Sequence, residues 1–357
     1  MRRRGGLSRF EAGLIALVVV LTAAAAVTRY ASGVPDVLAF VVAALALAGL
    51  AWAVSLGTEQ VGARLGAGPT GVLHSTVGNL PEFFVVLFAL GAGDTIVAQT
   101  AILGSILVNA LLVLGLVLIA GSVKSGVRRM QFDTTLPKDA TTLLLVASFI
   151  IVLIGLVDRV GDPAHRHTET ISIVGAAVLL AVYAVWLPQY LRSDQATADT
   201  GARSRLPLAL SVVLLVAAGV GSAFVSDWFV HALEPTIRKL HISQAFAGLV
   251  IVAIAGNAVE NVAGIALAWK QQADLAISVV KNSVAQIAAF LYPVLVLVSL
   301  LTASRLTFAL QPVYIGALIG TAILVWQITN DGDGTPFEGA ALIATFVVLA
   351  TVAAFEH

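Results

Sequence analysis

Apolar runs of about twenty residues follow one another from Phe10 almost to the end of the chain, broken only by short charged or Pro/Gly-rich stretches. A run of that length is what an α-helix needs to cross roughly 30 Å of hydrocarbon. Within a bilayer only helices and closed barrels satisfy every backbone polar group internally. Eleven runs can be drawn, at 11–28, 36–56, 70–91, 95–120, 139–157, 171–190, 206–226, 243–269, 275–301, 306–328 and 337–355. Only 11% of the residues are charged, against about 25% in soluble domains, so an ordinary soluble core is excluded. The expectation is an all-α integral membrane protein with about eleven transmembrane helices. Acids and bases cancel at 20 each, with no basic tract interleaved with aromatics, so nothing points to a nucleic-acid partner. The absence of cysteine excludes disulfides, thiolate metal sites and cysteine nucleophiles. The first run follows four arginines and ends in Ala23–Ala26 like a secretory leader, but Glu11 at its start and ten further spans favour a retained helix.

The basic residues between spans set an orientation. With the N-terminus inside, the cytoplasmic side holds thirteen Lys and Arg and the other side six, and an odd span count places the C-terminus outside. Minimal loops and the Ala/Val/Arg bias suggest a bacterial inner membrane. The polar stretch Ser193–Ser204 divides the chain into comparable halves. The expected organisation is an N-terminal extra helix over 1–35, a first repeat over 36–192, a cytoplasmic linker over 193–205 and a second repeat over 206–357.

The duplication rests on a pattern that occurs twice, Gly78-Asn79-Leu80-Pro81-Glu82 and Gly256-Asn257-Ala258-Val259-Glu260, at an offset of 178. The same offset carries Gly104-Ser105 onto Asn282-Ser283, with the serine kept. Equivalent spans lie five apart, an odd number, so they cross in opposite directions. The chain therefore reads as one peripheral helix plus two inverted-topology five-helix repeats, an architecture that places transporter sites at the bilayer midplane.

The residue types in the motif suit a cation. Gly78, Gly104, Gly256 and Pro81 weaken the helical ladder and free carbonyls toward a cavity. Asn79 and Asn257 offer amide oxygens, Ser105 and Ser283 hydroxyls, and Glu82 and Glu260 the carboxylates that would neutralise a divalent ion. Carboxylates inside a membrane are costly and need a purpose. Burial and mutual repulsion raise their affinity for protons, so ion and proton competing for one pair is a minimal antiport mechanism. Two permanently protonated glutamates that merely join helices would leave the repeated Asn, Gly and Ser without a reason.

At these residues the sequence resembles the calcium/proton exchanger family of the calcium/cation antiporter superfamily. The first family repeat is matched by Gly78 to Glu82, Phe88-Ala89-Leu90, Gln99, Leu103 to Leu107 and Asn109. The second is matched by Glu234-Pro235, Ser243 to Phe246, Gly256 to Glu260, Ser283 and Gln286-Ile287, and the chain's end by Phe337-Glu338-Gly339. The resemblance implies that Glu82 and Glu260 bind calcium and take protons while helices rock around a ten-helix core. It departs from the family at Asn261, where His is usual, at Asn282 preceded by Lys281, where Gly is usual, and at His74, where Asn is common.

Lys281 either pairs with a motif glutamate and opposes divalent binding or snorkels aside. His74, two turns before Glu82, is either a proton relay or a satisfied buried histidine. Gln99 and Gln286 would flank the pathway with Asn282. The expected function is proton-coupled cation antiport, calcium first, with no cofactor and no enzymatic activity. Its partners are an inorganic cation, protons and the lipid bilayer, with the oligomeric state open. A sodium or potassium/proton antiporter of the same fold and a cation channel with an acidic selectivity ring stay as alternatives. No His-Glu-x-x-His or Ser/His/Asp grouping supports an intramembrane enzyme.

Overall fold

The computed structural model describes residues 7–65, 77–125, 129–192 and 205–356, without the side chains of 62, 63, 65, 135–137, 191, 192, 259 and 260. It is almost wholly helical. Helices α1 (Arg9–Tyr30), α2 (Asp36–Leu65) and α3 (Leu80–Ala92) are followed by α4 (Thr95–Lys124), α5 (Thr135–Arg159), α6 (Thr168–Arg192) and α7 (Leu208–Leu240). Then come α8 (Gln244–Gly256), α9 (Ala258–Trp269), α10 (Ala273–Leu301), α11 (Pro312–Thr329) and α12 (Pro336–Ala354). Among the described residues nine helices are long and apolar enough to cross a membrane, or ten if the bent pair α8 and α9 counts as one span. The expected run 70–91 is represented by the 13-residue α3, the rest of it lying outside the described residues.

Four expected boundaries change, beginning with α2 and α7, which run on to Leu65 and Leu240, past the expected ends at 56 and 226. The run 243–269 is two helices whose axes bend by 58°, with Asn257 out of helical geometry at the break (φ −93°, ψ 11°). The run 306–328 starts as a helix only at Pro312, which supplies a ready-made first-turn φ and needs no N–H partner. Before it, residues 302–311 are not helical, and Leu306, Phe308 and Leu310 are buried alternately. Backbone bonds to side chains hold this segment in place: Leu306 N–H donates to Ser299 Oγ (2.9 Å) and Phe308 N–H to Ser172 Oγ (3.2 Å).

The chain forms two compact units, and each draws on both halves of the sequence. Unit 1 comprises residues 1–88 and 186–242. Its centre is the pair α2 and α7, which run antiparallel: Phe40 lies against Phe229 with ring centroids 4.8 Å apart and planes tilted by 31°, Leu50 faces Gly221, and Gly57 faces Leu215. One end of the unit is tied by Arg205, whose guanidinium pairs with Glu11 (2.7 Å) while its backbone N–H donates to Gln60 Oε1 (2.8 Å).

Unit 2 comprises residues 89–185 and 243–357. The 178 offset is preserved here in three dimensions. Helices α4 and α10 start at Thr95 and Ala273, and each widens into a π-helical stretch, at Val108–Val113 and Ile287–Leu291. At one end of the unit Met130–Gln131 (β1) pairs antiparallel with Asp333–Gly334 (β2), and Arg129 forms an ion pair with Asp333. Met130 and Phe132 are buried there, and the offset makes them the counterparts of Phe308 and Leu310. The short extended plug is thus a repeated element.

Candidate ion-binding site

In unit 1 the motif opens α3. Gly78 and Asn79 form a turn, and Leu80, Pro81 and Glu82 are the first helical residues. Pro81 therefore sits in the first turn, where its missing N–H costs nothing, and the break it marks lies before it. Glu82 is 6% exposed and Asn79 3%. Glu82 stands in the first turn of α3, at the end whose leading backbone N–H groups have no intrahelical acceptor. Glu260 is likewise the third residue of its helix, α9, again directly after a break. The two glutamates thus share a backbone position, although the Glu260 side chain and the whole of His74 lie outside the described residues.

Unit 2 gathers Ser105, Asn257 and Ser283 from three helices into one buried network. Asn257 Nδ2 donates to Ser105 Oγ (2.8 Å) and to Ala253 O (2.9 Å). Asn257 Oδ1 accepts from Asn109 Nδ2 (2.8 Å), which also donates to Ser105 O (3.0 Å) and approaches Ser283 Oγ at 3.5 Å. Asn109 is the member that residue-type reasoning left outside the site. Its position four residues after Ser105, on the same helical face, is the signal that marks it.

Backbone contact makes this network possible. A Cβ on Gly104 would lie 2.3 Å from Leu249 O, and one on Gly248 only 2.0 Å from Thr100 Oγ1. Gly104 therefore brings α4 against α8; it does not break α4, which is helical throughout. Gly256 does precede the break at Asn257.

The remaining candidates have separate surroundings. Gln99 Nε2 donates to Ala309 O (2.9 Å) and Thr307 O (3.3 Å), so it anchors the plug before α11. Gln286 is buried at the junction between regular helix and the π-helical stretch of α10, and Asn282 lies between Lys281 and Ser283 on the same helix. Lys281 is 4% exposed and its ammonium donates to Thr329 Oγ1 (2.6 Å) at the end of α11. Residues 281 and 283 lie on nearly opposite faces of α10, so the ammonium is directed away from the amide and hydroxyl network.

A helical membrane fold with a broken-helix carboxylate motif repeated in its two halves defines the class of cation exchangers. The family model described as "Sodium/calcium exchanger protein" matches residues 35–188 and 210–355, and the chain belongs to this family. It is 31% identical over 325 residues to the "Ca(2+)/H(+) antiporter ChaA" of Bacillus subtilis (strain 168), covering 88% of this chain and 92% of that one. It is 30% identical over 325 residues to the "Vacuolar calcium ion transporter" of Schizosaccharomyces pombe (strain 972 / ATCC 24843), covering 87% and 77%. Among solved structures, that of native YfkE superimposes with a TM-score of 0.81 at 26% identity, over 96% of this chain and 99% of that one.

Proposed function

We propose that the chain is a calcium/proton antiporter of a bacterial inner membrane, with Glu82 and Glu260 as the groups that exchange calcium for protons. The observation that carries the reading is the repeated placement of a glutamate as the third residue of a helix that follows a break, with an asparagine three residues before it. The likeness at 30–31% identity to proteins named as a Ca(2+)/H(+) antiporter and a calcium ion transporter supports the choice of cargo. The division into an extra helix, two inverted repeats and a linker belongs to the same proposal.

The chemistry follows from the donors. Ionised carboxylates supply negative charge, while amide and hydroxyl oxygens complete the oxygen-rich shell that a hard divalent cation requires. When the ion leaves, protons neutralise the carboxylates, because a bare charge at membrane depth is costly. The chain's own contribution is to hold each glutamate at a helix start, directly after a break in the backbone.

The test is proton movement in liposomes driven by each chloride salt in turn. Calcium should drive proton efflux, sodium and potassium should not, and Glu82→Gln or Glu260→Gln should each reduce exchange at least a hundredfold without loss of folded protein. Flux that needs no counter-gradient would identify a channel. Monovalent-driven exchange would identify the sodium or potassium alternative. Near-normal transport in either Gln variant would make that carboxylate structural.

A further inference from the structure

Among the described residues, four buried hydroxyls of unit 1 have no hydrogen-bond partner in the protein: besides those of Thr22 and Ser226, these are Thr58 Oγ1 on α2 and Thr236 Oγ1 on α7. Thr58 and Thr236 are 0% and 1% exposed. A threonine on an apolar helix has a ready acceptor in the carbonyl four residues back. Thr100, Ser211, Ser222 and Thr329 all use theirs in this chain. Thr58 and Thr236 do not, although leaving a buried hydroxyl unmet is unfavourable. Two occurrences of this choice are related by the 178 offset of the duplication. The other partnerless hydroxyls on repeat helices, Ser148 and Ser226, have Trp326 and Ala48 at the corresponding places.

The positions give the choice a direction. Because α2 and α7 are antiparallel, with Gly57 against Leu215 and Phe40 against Phe229, Thr58 lies near the start of α7 and Thr236 near its end. From the level of Thr58, about residue 214, to Thr236 the helix rises roughly 33 Å at 1.5 Å per residue. That is close to the thickness of the hydrocarbon, about 30 Å. Each threonine also has an exposed glutamate within two residues, Glu59 and Glu234, so each marks the level where its helix turns from apolar to charged.

We propose that Thr58 and Thr236 are matched hydration stations, one at each membrane boundary, whose hydroxyls bond to the water and hydrated cation entering from their own side. Both are closed off from the surface in this structure, and water entering from the near side would give each hydroxyl the partner that the protein does not. The identity of the cation rests on the antiport reading above; the geometry of the stations does not.

The cysteine-free chain allows a direct test. Thr58→Cys and Thr236→Cys would be reconstituted in vesicles and exposed to a membrane-impermeant maleimide on one face at a time, with and without a calcium gradient. Each thiol should react from one face only, and from opposite faces, and the gradient should change the two rates in opposite directions by fivefold or more. Modification of both from the same face, or of neither above the background of the parent chain, overturns the proposal. Should cysteine impair folding, Thr58→Val and Thr236→Val should each lower turnover about tenfold and Thr→Ser restore it; full turnover in the Val variants overturns it too. The unmodified Glu82→Gln protein carrying each cysteine separates the two readings. Labelling that persists while exchange is lost supports the stations and the antiport mechanism. Opposite-face labelling together with no calcium-driven proton flux in the chain that keeps Glu82 sinks the antiport reading alone.

Discussion

Asn257 has both ends of its amide committed, its nitrogen to Ser105 and Ala253 and its oxygen to Asn109. Asn257 Oδ1 has two lone pairs, of which the Asn109 amide takes one, so a cation that takes this oxygen as a ligand either uses the other or displaces that amide. Lys281 acts differently. Its ammonium sits on Thr329, on the side of α10 away from Ser283, and acts on the network through its field. Two unit charges 10 Å apart still interact by about 1.7 kcal/mol at an effective dielectric of 20, and a divalent ion doubles this. Lys281→Met, which keeps the stem and removes the charge, should tighten the apparent calcium affinity, by about threefold to tenfold after solvent relaxation. Calcium dependence of transport measures it. An unchanged value would make Lys281 a clamp between α10 and α11, and a weakened one would mean that the ammonium positions a ligand.

At the scale of elements, α4 and α8 meet at Gly104 and Gly248 with no room for side chains. Gly104→Ala places a methyl against backbone, which cannot swing aside, so the variant should lose about 1–3 kcal/mol or more of stability. Gly316→Ala and Gly320→Ala on α11 meet nothing within 4 Å and should be neutral or gain up to about 1 kcal/mol from helix propensity. Thermal unfolding in detergent followed by size-exclusion chromatography separates the two cases; equal melting temperatures would refute the close contact. The elements show what periodicity can reveal. Span positions are readable because twenty apolar residues have few other fates. The ends of α2 and α7 are not: Glu59, Arg64, Glu234 and Arg238 end the apolar run while the backbone continues helical to Leu65 and Leu240. Leu306, Phe308 and Leu310 lie in an apolar run that joins smoothly onto α11, and only the segment's hydrogen bonds reveal a plug: Leu306 N–H to Ser299, Phe308 N–H to Ser172, and the Gln99 amide to Ala309 O and Thr307 O. Ser105, Asn257 and Ser283 were readable from repetition at one offset. Asn109 was not, because its counterpart at that offset is Ile287.

For the whole molecule the decisive quantity is sidedness. Within unit 2, loops that an alternating path puts on one side do meet. Arg129 after α4 pairs with Asp333 before α12, and Asp133 N–H donates to Asp274 Oδ1 at the start of α10 (2.7 Å). At the other end, Arg159 at the close of α5 donates to Leu310 O before α11 (3.1 Å). These contacts agree with the relative sides of an alternating path, and the thirteen-to-six excess of Lys and Arg is the ground on which we propose the absolute side. A reporter fused after residue 357 should accordingly read outside, and one inserted at residue 198 of the linker should read cytoplasmic. The Asp331 and Asp333 loop, rich in acid, is the weakest member of the set proposed as cytoplasmic, yet acids contribute little to orientation and Arg129 lies against it. Both reporters on the same side would leave an even number of crossings after the linker. The second half would then hold four or six spans instead of five, and the halves would no longer be an inverted pair.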